Sequence, residues 1–225
     1  MKIKWGALVV DGRGKLGGHV ASKNRGGAYM RTKVTPVNPQ STFQTVVRAL
    51  FGSISSAWSG LTNAERQSFY NRTSSYQTTD IFGDSKVPSG KALFQRLNQN
   101  LGNSEQALIT VCPAPKAVPS ALITDFAAIA TGQAMSFQTT EDTTGNVLMI
   151  FATPPLSAGT EFYKNELRHI GNIAGSAPDP VEIGALYSAR YGAFAAGDHI
   201  FAGVKVCNDG GLTSPLEVLE AVVGA

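Results

Sequence analysis

Nowhere in this 225-residue chain do eighteen consecutive apolar residues occur, so the sequence predicts no membrane-spanning helix. The opening residues, Met1 to Val10, carry two lysines and a short apolar run broken by Trp5 and Gly6, which does not read as a signal peptide. Cysteine is scarce. Cys112 and Cys207 stand far apart, without CxxC spacing or a neighbouring histidine, which excludes a zinc pattern and a disulfide-rich scaffold. A reduced compartment during synthesis fits that usage, and a Cys112–Cys207 bridge stays open because sequence does not report the Cα separation it needs. Histidine is equally sparse: His19, His169 and His199 form no HExxH pair, and only His199 adjoins an acid, Asp198, in an expected turn before a strand. General-base chemistry needs a positioned third group and a pocket, so that pair reads as turn structure. No GxSxG elbow is present. Gly12-Arg13-Gly14-Lys15-Leu16-Gly17-Gly18 lacks both the GxxxxGK[ST] order and a following helix, so it is not a phosphate loop. The sequence therefore points to no enzyme, no metal site and no cofactor.

Charge is present but unevenly placed. With 43% hydrophobic and 16% charged residues the chain can bury a core, and its net charge is +3. Residues 1–100 hold fourteen Lys plus Arg against four Asp plus Glu, a balance of +10, whereas residues 101–225 hold five against twelve, a balance of −7. Such a split implies different partners for the two halves: the basic half suits either a polyanion or the acidic half of a neighbouring copy.

Pattern along the chain predicts an α+β protein in four parts. Residues 1–38 are rich in glycine and bases without a helical apolar period, with short β-like runs at Ala7 to Val10 and Ala28 to Arg31, which predicts an extended arm or hairpin. Residues 39–105 predict three helices. The first carries Phe43, Val46, Val47, Leu50, Phe51, Ile54 and Trp58 at helical spacing, with Ser41 or Thr42 as cap and Gly60 as terminator; Phe43 and Trp58 are expected in the core. The second opens on the capping box Thr62-Asn63-Ala64-Glu65 and sends Phe69 and Tyr70 inward; the third starts near Ser89 and places Leu93, Phe94, Leu97 and Leu101 on one face. Residues 106–119 contain three prolines and read as a linker. Residues 120–225 predict a β-sandwich, with strands at Ala134–Thr139, Asn146–Ala152, Phe162–His169, His199–Val206 and Leu216–Val223. Ile200, Ala202, Val204 and Val206 alternate with Lys205 on the opposite face, as a half-buried strand requires.

Six cations, Arg13, Lys15, Lys23, Arg25, Arg31 and Lys33, fall within about twenty residues. They are interleaved with His19, Asn24 and Tyr29. Such a segment can neutralise phosphates, with Tyr29 stacking on an unpaired base, or it can make charged contacts in an assembly. The candidate contact residues are Arg13, Lys15, Lys23, Arg25, Tyr29, Arg31, Lys33, Asn38 and Arg48, with Asn38-Pro39 setting the turn into the first helix.

The order Gly14, Gly18-His19, Asn24-Arg25-Gly26-Gly27, Tyr29, Arg31, Pro36, Asn38-Pro39, Gln44, Arg48, Trp58, Leu61-Thr62, Arg66 and Phe94 resembles a pattern in structural proteins of tailed bacteriophages. The C-terminal half resembles fibronectin type III and immunoglobulin-like modules through Ile200 to Val206 and Asn208-Asp209-Gly210-Gly211, although Ile200 stands where many such domains place a corner tyrosine. These resemblances imply a non-enzymatic virion subunit, made in a bacterial host cytoplasm, that contacts its own copies and other capsid, portal, neck or tail proteins. The alternative expectation is a nucleic-acid-binding protein using the basic arm; neither reading involves a membrane.

Overall fold

The computed structural model describes residues 12–24, 27–79, 84–140, 143–176 and 179–225. The protein is α+β, and strands within its sheets pair antiparallel. It divides into two compact units, residues 1–45 and 46–225.

The first unit is a three-stranded sheet of β1 (Gly14–Leu16), β2 (His19–Asn24) and β3 (Gly27–Thr32), in that order. Leu16 faces His19 across the two-residue turn Gly17-Gly18. Gly17 sits at φ +56°, a left-handed conformation that costs an ordinary L-residue about 1–2 kcal/mol, so glycine permits the tight reversal. The Lys33 amide donates to the Gly18 carbonyl at 2.8 Å and extends the pairing past β3. Asn38 Oδ1 then accepts from the Gln40 amide at 3.3 Å, and Ser41 O accepts from the Thr45 amide at 3.0 Å to begin a helix. The expected arm or hairpin is thus a small sheet, in which Ala21 is the buried apolar residue among those described.

The second unit takes up helix α1 (Thr42–Gly60) from Val46 onward, then α2 (Asn63–Arg72), β4 (Thr78–Thr79), β5 (Ser85–Lys86) and α3 (Gly90–Asn103). The Thr62 amide donates to Glu65 Oε2 at 2.7 Å while the Glu65 amide donates to Thr62 Oγ1 at 3.3 Å, completing the predicted capping box. Arg66 donates from Nε to Trp58 O and from Nη2 to Ser59 O, satisfying carbonyls that the end of α1 leaves open. Trp58, Phe69 and Phe94 meet with ring centroids 5.2–6.0 Å apart, and Ile54, Leu93 and Leu97 pack around them.

Two expectations fail in this helical part. Phe43 is not core but 61% exposed, because the buried stripe of α1 runs through Ile54 and Trp58 near its C-terminal end and does not reach its first turn. Tyr70 is half exposed; its ring lies flat enough against the start of α3 that a Cβ on Gly90 would come within 2.6 Å of it.

The remainder forms β6 (Ile123–Ile129), β7 (Ala134–Thr139), β8 (Val147–Ala152), β9 (Arg168–Ala174), β10 (Val181–Glu182), helix α4 (Gly184–Tyr191), β11 (His199–Cys207) and β12 (Glu217–Val222). Sheets β10-β7-β6 and β12-β11-β8-β9 enclose one core that includes Ile123, Met135 and Phe137 from the first and Leu148, Ile150, Ile200, Val204 and Val206 from the second. The fourth strand lies at Arg168–Ala174 and not at Phe162–His169: the Glu166 and Leu167 amides both bond to Tyr163 O, curling residues 163–167 into a turn. The β10–β11 connection, not Ile200, supplies the tyrosines that pack on the core: α4 buries Tyr187 in it, and the half-buried Tyr191 donates its hydroxyl to Ala152 O at 2.9 Å.

Segment 106–119, expected as a linker, lies inside this unit and is stitched to it. Asn98 accepts from the Ile109 amide at 2.8 Å and donates to its carbonyl, the Cys112 amide donates to Ser68 Oγ, and Tyr76 donates to Pro113 O. On the sandwich side Asn208 Nδ2 donates to Lys116 O at 3.5 Å; helix α3 is bonded to the sandwich as well, with Asn100 Nδ2 donating to Gly211 O at 2.8 Å and Asn172 Nδ2 to Asn103 O at 3.0 Å.

Candidate functional site

Strand register sorts the basic residues of the first unit onto two faces. Lys15 stands opposite Val20, and Val20 stands opposite Arg31, so β1, β2 and β3 present Lys15, Val20 and Arg31 in one row across the sheet. Ser22 and Tyr29 form the next pair on the same face, because alternate residues of a strand point the same way. His19, Ala21 and Lys23 of β2, with Met30 and Thr32 of β3, belong to the opposite face. Lys33, two residues beyond Arg31, lines the same open groove of about 580 Å³ as Lys15, Val20, Arg31 and Pro36. Strands lie about 4.8 Å apart and alternate residues about 7 Å apart, which sets Lys15 and Arg31 backbones roughly 10 Å apart and Tyr29, Arg31 and Lys33 at roughly 7 Å steps. Lys15, Arg31 and Lys33 are exposed, and Tyr29 is half-buried.

From Gly12 to Ala64 the chain contains no Asp or Glu against seven Lys plus Arg. The described part of this unit therefore has no carboxylate of its own to neutralise the row. A flat cationic face with an aromatic ring in line is suited to binding an extended anion rather than to enclosing a small molecule.

The other expected contact residues fall elsewhere. Arg13 precedes β1 and is exposed, Lys23 is on the reverse face, and Arg25 lies outside the described residues. Asn38 holds the turn before α1, as expected, and Arg48 lies on α1 in the second unit. Val20, the half-buried residue between Lys15 and Arg31, joins them on this face, where a period-2 reading of His19 to Asn24 places it.

Among the described residues, proton affinity is altered at groups of the second unit, mainly through burial or capping. Burial pushes the Tyr76 phenol up to about 12 and raises Tyr187, Tyr191, Cys112 and Cys207, while the Thr62 hydroxyl and amide hold Glu65 below the ordinary carboxylate range. Both cysteines are free and buried. Asp198 closes its turn by accepting from the Ala195 amide at 2.8 Å. His169 bonds through Nε2 to Asn172 Oδ1 at 3.0 Å. Among the described residues no group of three or more His, Cys, Asp or Glu could hold a metal ion, and no helix is long and apolar enough to cross a membrane.

Comparison with protein-family models, curated proteins and solved structures gives no match.

Proposed function

We propose that this chain is a non-enzymatic structural subunit of a bacteriophage virion, a capsid-associated, neck or tail component that works through contacts with its own copies and with other virion proteins. The observation that carries this reading is the N-terminal half of the α1 apolar stripe, which continues the line of Ile54 and Trp58 beyond the core and is left exposed. Val46, Val47 and Phe51 are each more than half exposed, at 60%, 57% and 54%. Scattered exposed apolar residues are ordinary, but several gathered on one helix face mark a surface that another molecule covers.

A second copy suits that face. Across its nineteen residues α1 carries one charge, Arg48, and no acid, so two such helices can pack antiparallel about a twofold axis with little charge opposing them. The exposed half of Phe51 alone offers on the order of 100 Å². A stable interface buries about 800 Å² per partner, so the stripe is the centre of a contact that other surface completes.

Sedimentation of the full chain and of Val46→Asp and Phe51→Asp variants tests the proposal. The expected result is a defined multimer for the parent and smaller species of unchanged circular dichroism for both variants. A parent that sediments as a monomer at tens of micromolar, or variants that assemble as the parent does, would overturn it.

A further inference from the structure

We propose that the Lys15–Val20–Arg31 face of the first unit binds an unpaired nucleic-acid strand, with Lys15, Arg31 and Lys33 on phosphates and Tyr29 stacked on a base. The inference goes beyond the structural-subunit reading, since it assigns a polyanionic partner to a surface that self-association through α1 does not use.

Three observations support it together. The register brings two cations sixteen positions apart in sequence, Lys15 and Arg31, into one row on either side of Val20. The described residues of the first unit include no Asp or Glu, so none of them pairs with the cations of this face as an ion pair. Tyr29 shares the row's side of β3, one alternate position from Arg31, and alternate positions of a strand are spaced about 7 Å apart, which sets a base platform and a phosphate contact next to each other. An acidic protein surface would use the charges but has no need of the ring, whereas an unpaired strand uses both: cations neutralise its backbone while aromatic faces stack its bases without regard to sequence. The open, shallow shape of the groove also fits a strand lying across it better than a folded anion entering it.

Contacts with three phosphates predict a definite salt dependence. Each neutralised phosphate of a single strand contributes about −0.7 to the slope of log K against log salt, so the slope should be about −2, which weakens binding roughly 20-fold between about 50 and 200 mM salt. The probe is a fluorescein-labelled oligothymidylate, titrated with the full chain by anisotropy. Lys15→Ala, Arg31→Ala and Lys33→Ala should each reduce the slope by about 0.7, and the triple variant should remove measurable binding. Tyr29→Leu should weaken binding about 5- to 150-fold at constant slope, while Tyr29→Phe, which keeps the ring and guards against misfolding, should bind as the parent does. Lys205→Ala, on β11 of the second unit, should change nothing.

Absence of oligothymidylate binding at 50 mM salt, or equal binding by the triple variant, overturns the proposal. So does binding confined to duplex and insensitive to Tyr29→Leu, or preferential binding of polyglutamate, which would assign the face to an acidic protein. Sedimentation of the triple variant without nucleic acid keeps the two proposals apart: an unchanged multimer with lost strand binding tests the cationic face alone.

Discussion

Replacing Gly211 with alanine should detach α3 from the sandwich. Gly211 adopts φ +78°, and a Cβ there would lie 2.4 Å from Leu97 O, 2.9 Å from Leu97 C and 3.0 Å from Leu97 Cα. These atoms are the backbone of a buried helix, so relief requires the helix to move. The left-handed conformation costs alanine about 1–2 kcal/mol, the overlap about 1–3 kcal/mol, and displacing α3 also endangers the 2.8 Å bond from Asn100 to Gly211 O, worth about 1 kcal/mol. The combined loss is about 3–6 kcal/mol, a large part of the roughly 5–15 kcal/mol that a folded protein has. For a chain of this length each kcal/mol moves Tm by about 2–4 °C, so a fall of roughly 6–24 °C is expected, with a lower urea midpoint. Gly210→Ala is the matched control: its new Cβ meets the Pro113 ring at 3.2 Å, without a left-handed backbone, and should cost under about 1 kcal/mol. A Gly211→Ala protein within about 1 kcal/mol of the parent would refute the reasoning.

The core tyrosines separate by partner. Among the described residues the buried Tyr187 hydroxyl has no hydrogen-bond partner, so Tyr187→Phe should leave stability unchanged or raise it by about 1–2 kcal/mol, whereas Tyr191→Phe loses the bond to Ala152 O and should cost about 1 kcal/mol; urea denaturation reads both. The capping box should be acid-sensitive. Because Glu65 is held below its ordinary range in the fold, its contribution is complete above the unfolded value and is lost as pH falls through the folded one; the Tm gap between parent and Thr62→Ala should close from neutrality to below about pH 4, and a pH-independent gap would contradict this. Burial raises both thiols, so Cys112 and Cys207 should react slowly with a disulfide reagent at neutral pH in the native protein and promptly in denaturant; fast native labelling of either contradicts their placement.

Local signals were the most legible part of the sequence. Thr62 and Glu65 specify their helix start through two reciprocal hydrogen bonds, because a capping box depends on spacing alone; the alternation of Ile200, Ala202, Val204 and Val206 locates β11, but the strand expected to be half-buried is covered on both faces, with Phe201, Gly203 and Cys207 buried as well. What spacing cannot supply is the other side of a contact. The period of α1 places Phe43 and Trp58 on a helix but does not say that the core ends before the first turn. Helix α4 is only eight residues long, too short to be told from a strand by pattern, and β9 reads Arg-His-Ile-Gly-Asn-Ile-Ala with little alternation, so the neighbouring Phe162 to His169 run looked more strand-like. At the cationic face the residue types were legible and their grouping was not. Which of Lys15, Lys23 and Arg31 share a side depends on the Gly17-Gly18 turn and the register that follows from it.

The most direct test of the structural-subunit account is the mass of the purified full-length chain by light scattering at low and high salt, without nucleic acid. Association through the apolar face of α1 predicts a defined multimer that persists in high salt, since burial of Val46, Val47 and Phe51 does not depend on screened charge. A monomer at both salt concentrations would contradict it.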